Sequence, residues 1–596
     1  MEENLNIMIK EAFQEQDDKN QDTAEIEEEE TFSFEIVGGK LFEVIGNKLS
    51  LIANFYLKII SRSLLIDEGI TIDQLLDLKI NFQDKVGVIR LTAKEFNSGN
   101  FMSKVWAEVG TGAILYGSKK KLVVATQEIS GDNIPIRQVM TSHGFTADNC
   151  YLSPSIKIEP KGIAPLEDIE LDLSGGNFSK RIGFLHADDN DVKDVATHIY
   201  QDFLNLKTPA VMYPLLGHVC LAPFSSILTG KMGLKKPALH LDGPSGGGKT
   251  MLAALAMSFF GNFQDHFVSW TSTANAIERE GYFFRDSLFL IDDLKSSVVA
   301  PETVIRTLQN YVDGHGRARM RSNASLQKQF YIRGLLLSTG EDFVDNMESI
   351  TGRTIVINVE PDKNTVAGNR CLKNRELYRC FMPELIQTVI CDPDWKNKFQ
   401  DSVNKKVAEF HTLTKDLPNG LRISLNWALN FSGFSFFVNV IKKFGIIDKK
   451  KAEAMLAEYM EIAARHIQHQ AEELVENNPV ATMFRIMQQK IQAGQLSIIN
   501  LTGTPGKGKV VGTVQGKDVV YLYPDLVMEM LSSHFHKMPF SKKALTQALA
   551  RKGFITRAEN GRWTKQVRDK AGKQTRLNVW EIKTKLFKEN CGISGS

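Results

Sequence analysis

Cysteine is scarce in this chain: six in 596 residues (Cys150, Cys220, Cys371, Cys380, Cys391 and Cys591), with no C-x-x-C pair among them. That spacing suggests neither a zinc ribbon nor a disulfide framework, and reduced thiols in a cytosolic protein are the expectation. Long apolar runs are also missing. The longest candidate, Pro209 to Leu228, is interrupted by Pro214, His218 and Pro223, which makes it a poor membrane span. The chain opens without the basic patch and apolar stretch of a secretory leader, so a cytoplasmic location and no membrane partner are expected. Two histidine pairs, His466 with His469 and His534 with His536, lack cysteine or acidic companions at zinc spacing and read as ordinary structural or surface residues.

Net charge is nearly absent too, at +2, but the total conceals two strongly charged ends. Residues 1–30 carry twelve acidic residues against two lysines, a net of −10, and residues 541–590 carry fourteen basic against four acidic, a net of +10. The acidic arm has too few large apolar residues to offset its ordering entropy and is expected to be a disordered, solvating tail. Over the whole chain, 43% hydrophobic residues and this length predict a globular chain of roughly four structural units.

The densest signal is Leu241 to Thr250, in which Gly243, Pro244, Ser245, Gly246, Gly247, Gly248, Lys249 and Thr250 satisfy the phosphate-loop pattern G-x-x-x-x-G-K-[ST]. Glycines let backbone N–H groups close on phosphate oxygens, the lysine reaches the β- and γ-phosphates, and the threonine hydroxyl ligates Mg²⁺. The flanks agree: Ala238 to Leu241 reads as a strand, and Met251 to Phe260 as a helix whose N-terminal dipole faces the phosphates. ATP and Mg²⁺ are therefore the expected cofactors. A second glycine-rich stretch, Gly503 to Lys509, repeats the spacing but continues into Val510 and an alternating β-like segment. It reads as a hairpin turn.

A phosphate loop needs an apolar strand ending in an acid, and Leu288 to Asp293 supplies it. Asp292 would hold Mg²⁺ and Asp293 would orient the attacking water. Further on, Arg317, Arg319 and Arg321 alternate with apolar residues, pass a turn-like stretch and return through Lys328 to Arg333. Such a hairpin, placed before the next core strand at Gly334 to Leu337, has one basic face suited to the phosphates of single-stranded DNA; a solvated exposed hairpin is the plainer alternative. Thr339 then sits where a hydroxyl could position water, and Arg353 precedes another apolar strand, from which it could reach the ATP of a neighbouring subunit.

The rest of the chain is read more coarsely. A strand-rich N-terminal part is expected from about Thr31 to Ile182, with Val86 to Leu91 and Leu122 to Thr126 as strands and some helix near Phe55 to Ile66. Helices near Val192 to Leu206 and Val211 to Leu228 lead into the phosphate-loop strand. After the β-α-β region, helices dominate from Arg375 to Glu476. The last block reads helix, β-hairpin, two helices and a basic hairpin carrying Arg557, Arg562, Trp563, Lys565, Arg568, Lys570, Lys573 and Arg576. That order suggests a winged helix that could touch duplex DNA.

Taken together these motifs resemble the AAA+ ATPases of the pre-sensor-1 hairpin clade, and within it the MCM-like replicative helicases carried by mobile genomic islands of the staphylococcal cassette-chromosome type. The resemblance covers about Lys236 to Phe444. It implies an α/β AAA+ core with a helical lid, an ATP·Mg²⁺ site at Lys249, Thr250 and Asp292, an arginine finger at Arg353 and a sensor-2 arginine at Arg422. It also implies a ring, with a hexamer expected, acting on single-stranded and forked DNA alongside replication proteins of the host or element. Two positions depart from the family pattern: Asp292-Asp293 stands for the usual Asp-Glu pair, and Ser338-Thr339-Gly340 stands where an asparagine is usual. The organisation expected is an acidic arm (1–34), a strand-rich domain (35–185), a helical connector (186–235), the ATPase core (236–361), a lid (362–477) and a winged helix (478–596). An ATP-dependent DNA helicase is the first expectation. A non-unwinding remodeller or helicase loader and an ATP-gated origin-binding initiator are its rivals.

Overall fold

A computed structural model of the chain describes residues 33–167, 169–173, 175–265, 267–295, 297–314, 329–341, 343, 352–361, 364–415, 417, 419–476, 479–499, 501, 509–515, 518–534, 541–556, 563–568 and 576–591. Residues 1–32 of the acidic arm, most of the basic hairpin that holds Arg317 and residues 503–508 of the second glycine-rich stretch lie outside the described residues. The chain divides into two compact units, 1–140 and 141–596.

In the first unit, Tyr56–Asp67, Ile70–Phe82 and Lys85–Thr92 form an antiparallel run, with Ile136–Met140 parallel to the first of them. The helix expected near Phe55 to Ile66 is therefore a strand. Two serines disguise its alternation: Leu57, Ile59, Ser61 and Ser63 all point inward, and both serine hydroxyls donate to Asp77 Oδ2 at 2.8 Å. Arg90 Nε donates to Asp77 Oδ1 at 2.6 Å. Burial pushes the Asp77 carboxyl up, but these donors outweigh it and hold the group below its ordinary value. The strand expected at Leu122 to Thr126 is likewise corrected, to a helix over Lys119–Ser130. Ser118 accepts from the Lys121 amide at its start, Gly131 closes it, and Leu122, Ala125 and Thr126 give one buried face at helical spacing.

The second unit is mixed α/β. Five strands, β1 (Ala238–Asp242), β2 (Val268–Ser269), β3 (Leu288–Lys295), β4 (Leu335–Glu341) and β5 (Thr354–Asn358), form one parallel sheet in the order β2-β3-β4-β1-β5. Leu288 to Ile291 and Leu335 to Leu337 are unbroken apolar runs, the pattern of strands covered on both faces. Three helices belong to this layer: α1 (Lys249–Met257), α2 (Ala274–Tyr282) and α3 (Pro301–Asp313). One hydrophobic core runs from Phe145 to Ile467, so the residues before the sheet and the long helix Gly420–Lys443 after it are packed on the same body. Pro209–Gly230 is long and apolar enough to cross a membrane by composition, yet 94% of its most apolar 18-residue stretch is buried within the protein. An all-round apolar helix of this kind is a core helix.

The C-terminal block has its own core, from Val480 to Cys591. Helix Pro479–Gln492 leads into a sheet ordered Leu496–Ile499, Lys509–Gln515, Val519–Leu522, Arg576–Lys583, Lys565–Arg568, with helices Pro524–Ser532 and Lys542–Arg551 between the strands in sequence.

Candidate functional site

The sheet turns β1 directly into the loop that the sequence singled out. Gly243 adopts φ +141°, and a Cβ there would lie 2.5 Å from the carbonyl oxygen of Val359; only glycine lets the chain leave the strand at this angle. Gly248, at φ +88°, is the left-handed residue that starts α1. Between them the Lys249 ammonium is buried and donates to the carbonyls of Gly243 (2.7 Å) and Pro244 (2.8 Å). The loop thus wraps its own lysine at the N-terminus of a helix, an arrangement that attracts anions.

Opposite the loop, β3 carries a bulge. Its pairing with β4 jumps from Ile291↔Ser338 to Leu294↔Gly340, leaving two residues on β3 against one on β4. Asp292 and Asp293 occupy the bulge, and Asp293 has φ +62°, an uncommon conformation for a residue with a Cβ. Asp292 Oδ1 accepts from Thr250 Oγ1 at 3.1 Å and from Thr339 Oγ1. The same Thr339 oxygen accepts the Asp293 amide at 3.2 Å. Asp293 itself is exposed, with Lys295 Nζ donating to its Oδ2 at 3.1 Å. Gly340 makes the bulge possible, because a Cβ there would meet Leu294 Cβ and O at 2.5 Å.

Beneath this cluster lies a buried polar chain that the sequence did not signal. Trp270 Nε1 donates to Ser338 Oγ at 2.8 Å, and the same hydroxyl lies 2.9 Å from His240 Nδ1. The other ring nitrogen of His240, Nε2, lies 3.6 Å from Asp242 Oδ1. Burial pushes the His240 pKa down further than Asp242 lifts it. Asp242 also accepts the Phe343 amide at 3.2 Å.

The predicted residues fall into three sets. Gly243 through Thr250, Asp292, Asp293 and Thr339 meet at the C-terminal edge of the sheet. Arg353 and Arg422 meet at the opposite edge: Arg353 immediately precedes β5, whose Thr354 pairs with Ala238 at the start of β1, and Arg422 lies in the first turn of Gly420–Lys443. Burial first, then the charge of Arg353, pull the Arg422 guanidinium below its ordinary value. Arg422 Nε and Nη2 are buried without a hydrogen-bond partner among the described residues, and Arg422 lines a cavity of about 530 Å³ with Lys235, His411 and Lys415. At about 3.3 Å per residue, the five residues of β1 separate the two edges by roughly 16 Å. Arg317, Arg319, Arg321 and Lys328 lie outside the described residues. His466 is structural: its Nε2 lies 3.0 Å from the Ala210 carbonyl and its ring stacks on Trp427.

The donor set suits a nucleoside triphosphate with Mg²⁺. The glycine cradle leaves no room for a Cβ at Gly243, the ammonium sits in its mouth, and a hydroxyl and a carboxylate 3.1 Å apart offer hard oxygens.

A family model described as a domain of unknown function (DUF927) matches residues 200–330. No curated protein matches the chain. A solved structure described as "SCCmec type IV Cch - active helicase" is similar over 94% of this chain and 99% of that one, at 16% identity and a TM-score of 0.57; the two share a fold. The A form of the NrS-1 C-terminal region matches at 11% identity over 69% of this chain and 88% of that one, with a TM-score of 0.26. The Thermotoga maritima RuvB Holliday junction branch migration motor matches at 12% identity over 62% and 93%, with a TM-score of 0.16. At those scores neither bears on the fold.

Proposed function

We propose that this chain is an ATP-driven DNA helicase of the AAA+ class, MCM-like and ring-forming, that serves replication of a mobile genetic element. The observation that carries the reading is the division of the ATPase machinery between two edges of one sheet. Lys249 binds the β- and γ-phosphates, Thr250 and Asp292 hold Mg²⁺, and Asp293 orients the attacking water. Bound Mg²⁺ would supply charge neutralisation at the phosphates. Thr339 fixes both carboxylate-bearing residues through the bulge. Arg353 and Arg422 stand too far from this loop to serve it and instead complete the site of a neighbouring copy, where cationic groups stabilise charge developing on the phosphates. A site completed by the next subunit needs a head-to-tail interface, which either closes into a ring or runs on as a filament, and we take the hexameric ring as its form.

The fold shared with a structure described as an active helicase supports the DNA-motor part of the reading. In this account the basic residues Arg317, Arg319, Arg321 and Lys328, which fall between α3 and β4, grip one strand. The region 362–477 acts as the lid. The block 478–596 acts as a winged helix on duplex DNA, an assignment supported by its helix-strand order and its basic last hairpin. The test is ATP turnover with and without single-stranded DNA, for the full chain and for Lys249→Ala. Turnover that rises with DNA and vanishes in the variant supports the reading; turnover indifferent to DNA sinks it.

A further inference from the structure

The two limbs that flank residues 315–328 are tied to the root of the phosphate-loop strand by one buried lysine. Lys236, two residues before β1, is only 4% exposed. Its ammonium donates to three consecutive carbonyls on the exit limb, Ile332 at 3.1 Å, Arg333 at 2.9 Å and Gly334 at 3.2 Å. It also sits 4.8 Å from the ring centroid of Tyr311, near the end of α3 on the entrance limb. Tyr311 completes the tie: its hydroxyl donates to the Pro237 carbonyl at 2.8 Å and accepts the Leu336 amide at 3.1 Å. One knot therefore joins the start of β1, the end of α3 and the entry into β4.

Burying an ammonium costs several kcal/mol unless its donors are well used. Here three N–H donors meet three carbonyls and an aromatic face, a fit that a planar guanidinium does not reproduce. The exit limb is anchored from its other side as well. Arg333 lies 3.6 Å over the Tyr282 ring and donates Nε–H to the Tyr282 carbonyl at 2.7 Å. Gly334 fits only because it lacks a Cβ, which would lie 2.6 Å from the Phe284 carbonyl oxygen.

The strands joined by this knot are those that carry the nucleotide-site residues at their far ends. β1 runs into the loop of Lys249, and β4 carries Thr339. A displacement of β1 or β4 at the phosphates would reach both limbs through the Lys236 contacts. We infer that Lys236, with Tyr311, is a positioning residue that couples the nucleotide site to the basic segment 315–328. The inference rests on the DNA-motor reading above.

The experiment compares full-length wild type, Lys236→Met and Tyr311→Phe for basal ATP turnover, for its KM, and for the fold stimulation by single-stranded DNA. The expected result is basal turnover and KM near wild type, with stimulation reduced about two- to thirtyfold, the usual span of mutational effects on coupling between sites. Tyr311→Phe keeps the ring and loses only the hydroxyl, so it decides the matter should Lys236→Met fail to fold. Stimulation equal to wild type in a folded variant overturns the inference, as does a parallel loss of basal turnover, which would make the knot merely part of the nucleotide site. If wild type itself shows no stimulation, the motor reading fails and the inference falls with it.

Discussion

The hydroxyl of Thr339 donates to the Asp292 carboxylate and accepts the Asp293 amide at 3.2 Å, so a single side chain on β4 fixes both acids of the β3 bulge. Thr339→Val should therefore lower turnover about ten- to hundredfold, the size of effect seen when partners that orient metal-site ligands are removed. Thr339→Ser restores the hydroxyl and should recover most of the rate, with the ATP KM little changed in either. Equal rates in Val and Ser variants would show that the hydroxyl does not matter.

Gly340→Ala places a methyl 2.5 Å from Leu294 atoms. Overpacking of this kind costs about 1–3 kcal/mol. The urea midpoint should fall and turnover should fall with it, because the bulge aims Asp292 and Asp293. A variant with unchanged midpoint and rate would mean that the sheet can straighten without consequence.

Arg353 and Lys249 should complement each other in trans. Each of Lys249→Ala and Arg353→Ala should be inactive alone. In a one-to-one mixture that exchanges subunits, about a quarter of interfaces pair an intact phosphate loop with an intact arginine. Turnover should return to about that fraction of wild type. A mixture as inactive as its components would place Arg353 in its own subunit's chemistry or in none.

Stability should fall as the solution is acidified from about pH 6.5. His143 and His218 are fully buried, and desolvation pushes both down to about 3; burial lowers His466 and His240 too. The unfolded chain binds protons near pH 6.5 that the folded chain refuses until much lower pH. The stabilisation from their neutral burial is thus complete above 6.5 and is lost progressively as pH falls toward 3, by up to about 1.4 kcal/mol per pH unit per group. Urea midpoints at pH 7.5 and 5.0 measure it. A midpoint unchanged over that interval would contradict the burial of these rings.

Much of the candidate site was legible because its residues are local: a glycine pattern, a lysine and a hydroxyl lie within eight consecutive residues, and Asp292 ends an apolar run. The partners that orient those groups were not legible. Trp270, Ser338 and His240 come from three strands or their ends, and their contact depends on sheet order, which no spacing reveals. Lys236 carried no signal, since nothing in the sequence marks a charge that will be buried. In the first unit, Ser61 and Ser63 hid a strand because its inward face is satisfied by Asp77 instead of by apolar contact. Lys119 to Lys121 followed by Leu122 to Thr126 hid a helix, because valines favour strands locally and the deciding cap lies outside the run, at Ser118.

The most direct measurement is ATP-dependent displacement of a labelled strand from a forked duplex, with Lys249→Ala beside wild type. The account predicts displacement that requires ATP and Mg²⁺ and is abolished in the variant. ATP turnover stimulated by DNA without any displacement would contradict it.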